Sequence, residues 1–477
     1  MNPCATLAID PEDPAPVYAQ LAGQIRSKIF DGQISFSERL PATRQLARTL
    51  GVSRRTIVTV FEMLISEGLL ETRHGDGTYC VYDDAVSART GQKLERSNDG
   101  TQFDLEKAYE ILPLSPRGID PGALSIKAWS AAAARAQRSL SASSLFGSMP
   151  GGLPRLKEAL TKHLLSLRGL NVEPSQVIVT AGIRESLDLV TELLPPLKRV
   201  GVEEPSNTRI RALIGTTDGS RTQFLPLPVD QKGAGFATIS SVTPADAVLV
   251  TPSHQYPMGI TLSHARRLEL VERLHGTPTW VLEDDYGAAV RYSGANIRPI
   301  FHLDSRDRTV YFGTLSSILF SNLHLSFIVV PKDQVDATIR IQHRKGSLAS
   351  ILAQAAVAEF MECGAFAQHL LDLRRYSHAN YTALFDEVRT KLSEWLEPIP
   401  IDGGVSFAAL AHDASFDDQS IALLAKAAGL SPKPLSNMYV DPSAVRPGLV
   451  FGFMGTAPNQ SRAAVDRLRT ILTTGSR

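Results

Sequence analysis

Apolar residues recur at two different spacings along the chain, and the change of spacing divides it. From residue 14 to 82 the spacing is helical. Val17, Leu21, Ile25 and Ile29 form an i, i+4 stripe behind Pro16, which suits a helix start, and Asp31-Gly32 ends that helix. LPATRQLARTLG is a second short helix, with Leu46, Ala47 and Leu50 inward and Gly51 closing it. Ser53 caps a third, SRRTIVTVFEMLISEG, whose stripe is Ile57, Val60, Phe61 and Leu64 and which stops at Gly68. Two short β-type runs then surround the turn signal Asp76-Gly77 in LLETRHGDGTYCVY. Three helices and a hairpin, with a tight turn between the second and third helices, predict a winged helix-turn-helix over residues 14–82.

Residues 83–110 are polar with almost no apolar periodicity, and read as a linker. From 111 to 477 short apolar runs alternate with helical patterns. The strand candidates are QVIVTAG, RVGVEEP, DAVLVTPS, TWVLEDDY, TVYFGTLSS and LSFIVVP, with helical stretches such as GLPRLKEALTKHLLSLRG between them. This alternation predicts an α/β domain on a largely parallel sheet, whose sites gather at the carboxyl ends of the strands. TAG, PSHQYPMG, EDDY and GTLSS fall there. Beyond about residue 346 the pattern is mostly helical with a late strand at PGLVFGFM, which predicts a smaller C-terminal α+β subdomain over about 346–477.

At 477 residues the chain is too long for one core, so two or three domains are expected. Lys+Arg and Asp+Glu are both 49, so no global field announces nucleic acid or membrane. Cys4, Cys80 and Cys363 are too scattered for a disulfide framework or a metal cluster, and fit a reducing cytoplasm. The acidic, Pro-rich N-terminus lacks the features of a signal peptide, and no run approaches 18 apolar residues.

Placement carries the DNA argument, because residues 14–82 hold only eight Lys/Arg against six Asp/Glu. Ser53, Arg54, Arg55 and Thr56 open the third helix, the end that enters the major groove in a helix-turn-helix. Arginine forks suit guanine, and the Ser53 and Thr56 hydroxyls suit phosphate. Arg44 begins the preceding helix and is placed to clamp the backbone. Arg73, His74 and Gly75 lie where a wing meets the minor groove. Read one residue at a time, the alternative is a solvated cationic face. The stretch LPATRQLARTLGVSRRTIVTVFEMLISEGLLETRHGDGTYC resembles the GntR-type winged helix of bacterial transcription regulators in nearly every element. The resemblance implies DNA contacts from Arg44, Ser53, Arg54, Arg55, Thr56 and the wing residues near Gly75.

The remaining chain resembles a fold-type I aminotransferase, and more narrowly the MocR subfamily, in which a GntR-type head is fused to an aminotransferase-like body. Four segments carry this in order: GLPRLKEALTKHLLSLRGLNVEPSQVIVTAG, TPSHQYPMGITLSHARRLEL, EDDYGAAVRY and VYFGTLSSILFSNLHLSFIVVP. In such proteins pyridoxal phosphate (PLP) is held as an imine to a lysine, with a carboxylate at its pyridine nitrogen and a tyrosine at its ring oxygen. The resemblance puts Asp284 and Tyr286 in the last two roles, with Glu283 and Asp285 as alternatives for the inward acid. It puts Ser317, after Ser316, at the lysine position, where no imine can form. The family's phosphate-binding arginine falls on His324, and an aromatic position on Asn207. Gly182 keeps the phosphate turn, and His254 belongs to the recognisable PSHQ loop, as a structural or ring-side residue. Leu449 and Val450 occupy the region of a carboxylate-clamping arginine.

These departures imply a vestigial pocket (Gly182, Asn207, His254, Asp284, Tyr286, Ser316, Ser317, His324) without covalent PLP. Non-covalent binding of PLP or another small-molecule effector stays open, as does a body that only dimerises. The expected protein is a transcription regulator that binds a double-stranded DNA operator as a head-to-tail homodimer in the bacterial cytoplasm, on the nucleoid. The alternative is a PLP-dependent aminotransferase-like enzyme with an accessory DNA-binding head, which Ser317 opposes.

Overall fold

The computed structural model describes residues 6–73, 75–82, 111–116, 120–147, 149–215, 222–239, 244–292, 298–346 and 349–475. His74 and the linker 83–110 lie outside the described residues. The chain forms two compact units, divided between Ala108 and Tyr109.

In the first unit, α1 (Val17–Phe30), α2 (Thr43–Leu50) and α3 (Arg54–Ser66) enclose a core of Leu21, Ile25, Leu46, Ile57, Val60, Phe61 and Leu64. Gly51 takes a left-handed conformation (φ 66°) after α2, which turns the chain sharply into α3. The Ser53 hydroxyl accepts the Thr56 amide at 3.0 Å, a cap that stabilises α3 by about 1 kcal/mol. The hairpin pairs β1 (Leu70–Arg73) with β2 (Gly77–Cys80) antiparallel, and Leu70 and Cys80 point into the core. Leu50, read as inward, is half-buried.

The second unit is built on an eight-stranded sheet in the order β3-β10-β9-β8-β7-β4-β5-β6. The strands are β3 (Val177–Thr180), β4 (Arg199–Glu204), β5 (Gln223–Asp230), β6 (Gly233–Ala234), β7 (Ala247–Val250), β8 (Trp280–Asp284), β9 (Thr309–Thr314) and β10 (Ser326–Val329). β5, β4, β7, β8 and β9 are parallel neighbours, and β10 runs antiparallel between β9 and β3. The carboxyl ends of β3, β4, β7, β8 and β9 therefore share one edge, as expected for a site-bearing α/β sheet.

β5 and β6 escaped the sequence reading because β5 carries Pro226 and Pro228. The Pro228 carbonyl accepts from the Gly235 amide, so it faces away from β4, as does the nitrogen that lacks a hydrogen. The C-terminal subdomain also holds more β-structure than the single strand expected. β11 (Leu396–Pro398), β12 (Ser406–Ala411), β13 (Lys433–Pro434) and β14 (Gly448–Gly452) form an antiparallel sheet in the order β11-β12-β14-β13. The PGLVFGFM strand is β14.

Candidate DNA interface and candidate ligand cleft

Arg44, Arg54 and Arg55 project from α2 and α3 as exposed side chains. Arg73 is exposed on the wing, with its guanidinium 4.5 Å from the centre of the Tyr79 ring. Gly75 has φ 77°, which the wing turn requires. The Ser53 and Thr56 hydroxyls lie 2.8 Å apart, bonded to each other inside the cap rather than directed outward together. Their first role here is to hold the start of α3, which presents Arg54 and Arg55.

In the second unit the structure separates the three acids that end β8. Glu283 turns into the core, accepts the Ile300 and Phe301 amides at 2.9 and 2.8 Å, and has Arg267 at 3.8 Å. Asp285 is held by Arg168 (Nε at 2.7 Å, Nη2 at 3.1 Å), by the Tyr311 hydroxyl at 2.5 Å and by the Ser253 hydroxyl. Asp284 lies between them without an ion pair among the described residues. Exclusion of water, and then the charge of Asp285, push its carboxyl up to about 7. Of the three, Asp284 is therefore the acid left available to a ligand.

Tyr286 follows, its ring edge-to-face with Tyr256 at 6.2 Å and tilted to His254 at 6.1 Å. His254 is buried and neutral, its pKa pushed down to about 4 by burial, with a smaller push from Arg291. Three left-handed glycines give its ring room: a Cβ on Gly404 would stand 2.3 Å from Nε2, and Gly259 and Gly287 also abut it. Glu203, at the end of β4, accepts from the Thr251 amide and hydroxyl, and burial raises its pKa to about 7. Its Oε1 has no hydrogen-bond partner among the described residues, and the Gln255 amide donates to the Pro205 and Tyr256 carbonyls.

The other pocket residues fall elsewhere. Gly182 caps the helix α4 (Ile183–Leu193) with φ 100° and ψ 173°, a conformation reserved for glycine. The Asn207 side chain caps the helix α5 (Thr208–Ile214), accepting the Arg209 and Ile210 amides at 3.0 and 3.4 Å. The Ser316 hydroxyl accepts the Leu325 amide at 2.9 Å, pinning the two ends of the 316–325 loop together. Ser317 lines a cavity of about 40 Å³ with Arg168, Asp285, Tyr311 and Phe327, a lining that does not include Asp284. His324 is exposed in a left-handed conformation (φ 46°). Val450 belongs to an apolar cluster with Met258, Leu435 and Met438, against which Tyr256 packs.

Arg168 and Tyr311 were missed in the sequence. A lone arginine at the end of an apolar helical stripe, and a tyrosine in an apolar strand, were the available signals. Among the described residues no group of three or more His, Cys, Asp or Glu side chains is placed to hold a metal ion, and no helix is long and apolar enough to cross a membrane.

Burial of His254 sets a pH dependence. Its folded pKa lies below the ordinary 6.5, so the unfolded chain binds the proton more readily. The stability this contributes is complete above pH 6.5 and is lost as the pH falls towards 4. Glu203, Glu283 and Asp284, raised to about 7, act oppositely, losing stability as the pH rises from the ordinary carboxylate range to about 7. The comparison of wild type with His254→Gln isolates the histidine. On going from pH 6.5 to 4.5 the variant should lose about 2 kcal/mol less than wild type. Trp129, Trp280 and Trp395 all lie in the second unit, so tryptophan fluorescence during denaturation reads it directly. Parallel pH profiles for the two proteins would contradict a neutral buried His254.

Comparison with known proteins agrees with both halves. Residues 17–80 match the family described as bacterial regulatory proteins, gntR family. The chain is 31% identical over 480 residues to the probable rhizopine catabolism regulatory protein MocR of Rhizobium meliloti, covering 97% of this chain and 95% of that one. It is 32% identical over 453 residues to the HTH-type pyridoxine biosynthesis transcriptional regulator PdxR of Corynebacterium glutamicum, covering 94% of each. Among solved structures, an archaeal alanine:glyoxylate aminotransferase aligns with a TM-score of 0.70 at 20% identity, over 77% of this chain and 92% of that one. At that identity the likeness shows the fold alone: a fold-type I aminotransferase architecture for the second unit. With a GntR-type head on such a body and similarity to MocR across nearly its whole length, the chain belongs to the MocR subfamily of GntR-type transcription regulators.

Proposed function

We propose that this transcription regulator reads duplex DNA through Arg54 and Arg55 in the major groove, with Arg44 on the backbone and the wing around Arg73, His74 and Gly75 beside it. The observation that carries this is the cap at Ser53, which fixes the helix end bearing two exposed arginines that have no ion pair among the described residues. Arg54→Ala should weaken binding and relax base preference, because a bidentate arginine–guanine contact contributes about 1–3 kcal/mol of discrimination. Arg44→Ala should weaken all duplexes alike and flatten the salt dependence by about one unit of log–log slope. Fluorescence anisotropy across a salt series checks both. Wild-type behaviour in both variants would overturn the groove assignment.

The second unit acts as a dimerisation and effector body rather than a transaminase. Its residues fit the ring end of PLP, with Asp284 facing no competing cation among the described residues and Tyr286 beside it. They do not fit the other two ends. Ser317 offers no amine for the aldehyde, and His324 stands exposed in place of a phosphate-binding cation. A non-covalently bound PLP or another small molecule is what the cleft can accept, and no reaction step is assigned to it. Val450 sits among apolar side chains and itself offers no clamp for an amino-acid carboxylate. A monomer leaves Ile126, Leu145 and Phe146 exposed, and a second copy arranged head-to-tail would cover such side chains. A two-fold symmetric or directly repeated operator is then expected, in the bacterial cytoplasm where the nucleoid lies.

A further inference from the structure

The two-stranded hairpin of the wing carries a third, bridged segment along its edge. Residues 37–40 run along the outer edge of β2: Ser37 donates to the Cys80 carbonyl at 2.8 Å, Leu40 to Thr78 at 2.8 Å, and the Cys80 amide to Glu38 at 2.9 Å. Arg39 stands directly opposite Tyr79 across this added edge, and Glu71 stands opposite Tyr79 on the other side. Arg73 is opposite Gly77. Side chains alternate between the faces of a strand, so Arg39, Tyr79, Glu71 and Arg73 share one face, with Gly77 as the gap between them. The other face buries Leu40, Leu70 and Cys80 in the core. The face with the two arginines is therefore the solvent face of the wing.

The gap at Gly77 is occupied by Arg39. A Cβ at residue 77 would stand 2.7 Å from Arg39 Nε and 3.3 Å from Nη2, so the guanidinium lies across the glycine. Arg73 stacks on Tyr79 at 4.5 Å, and the Tyr79 hydroxyl donates to Asp76 at 2.8 Å. Tyr79 is thus held by Arg73 over its ring and by Asp76 at its hydroxyl. Arg39 makes no ion pair among the described residues, although Glu71 shares its face.

We propose that Arg39, laid across Gly77, is a phosphate contact of the wing, paired with Arg73 on the duplex backbone beside the groove that α3 enters. This rests on the reading of the first unit as the DNA-binding head. Arg39 lies four residues before α2, outside the recognition helix and the hairpin, and only the bridged edge segment brings it to the wing. Gly77 matters here for two reasons: its φ of 141° and the close approach of the Arg39 side chain.

The test uses the full chain and two duplexes, one selected by the protein from a random-sequence pool and a scrambled one of equal length. Binding is followed from low to moderate salt. Arg39→Ala should weaken both duplexes by the same factor and lower the slope of log K against log salt by about 0.9. Arg39→Lys, which keeps the charge, should keep the slope, separating a lost contact from a misfolded wing. Gly77→Ala, which displaces the guanidinium while leaving it present, should lower the slope as Arg39→Ala does. A wild-type slope in Arg39→Ala, or equal slopes in the Ala and Lys variants, overturns the proposal. Arg54→Ala is the control. If it relaxes base preference while Arg39→Ala behaves as wild type, only the wing contact is wrong. If both behave as wild type, the groove reading itself fails.

Discussion

Incubation with PLP followed by borohydride reduction is expected to leave no one-to-one adduct on any lysine of this protein, and no visible band of a protein-bound imine. A hydroxyl cannot condense with an aldehyde to give an imine, and Ser317 is the residue that the family resemblance places at the lysine position. The neighbouring Ser316 offers no substitute, since it too carries a hydroxyl rather than an amine, and that hydroxyl accepts the Leu325 amide. The double variant Ser317→Lys with His324→Arg supplies both missing groups at once. It is expected to gain a reducible adduct at position 317 if Asp284 and Tyr286 are otherwise set for the ring, a change from none to stoichiometric labelling read by mass spectrometry. A single labelled lysine in the wild-type protein would show that another amine serves, and would return the enzyme reading to consideration.

The second large effect concerns stability. Arg168 and Asp285 are 5% and 1% exposed and joined by two hydrogen bonds, with Tyr311 and Ser253 on the same carboxylate. Arg168→Met leaves that carboxylate buried without a cation, and the loss of one partner of such a pair costs about 3–5 kcal/mol. The tryptophan-detected unfolding of the second unit should move accordingly. Adding Asp285→Asn to Arg168→Met should recover part of the loss, because a neutral amide needs no counter-charge and can still bond Tyr311 and Ser253. Equal stability of Arg168→Met and wild type would contradict a buried Arg168–Asp285 ion pair that holds the second unit together. Burial is the main cause that raises the Asp284 carboxyl, and the charge of the adjoining Asp285 adds a smaller push in the same direction.

The head was legible in the sequence almost residue by residue. Its helices are amphipathic, and their ends carry local signals (Pro16, Gly51, Ser53, Gly68) whose physics does not depend on the rest of the chain. The central strands of the large sheet were equally plain, because strands buried on both faces read as continuous apolar runs. What escaped was decided by tertiary position. The prolines of β5 point to its outer side, where no hydrogen bond is missed. The two-residue β13 is a strand only because β14 lies beside it, with Pro434 opposite Leu449. In the cleft, EDDY told that an acid was present but not which one. Only the partners of Glu283 and Asp285 single out Asp284. Asn207 and Ser316 looked like ligand-facing positions, and local hydrogen bonds to backbone amides engage both instead, a use of short polar side chains that no spacing rule distinguishes. Arg39 was invisible as a wing residue, since nothing in ERLP marks an edge segment.

The central claim is that this chain is a sequence-specific DNA-binding regulator whose recognition begins at Arg54. The most direct measurement is the affinity ratio between a duplex selected by the full-length protein and its scrambled counterpart at one fixed salt concentration. A ratio of about 10³ or more in wild type is expected, falling by about 5- to 150-fold in Arg54→Ala, since loss of a bidentate base contact worth about 1–3 kcal/mol lowers discrimination before it lowers backbone binding. Equal affinity for the two duplexes in wild type, or a ratio untouched by Arg54→Ala, would contradict it.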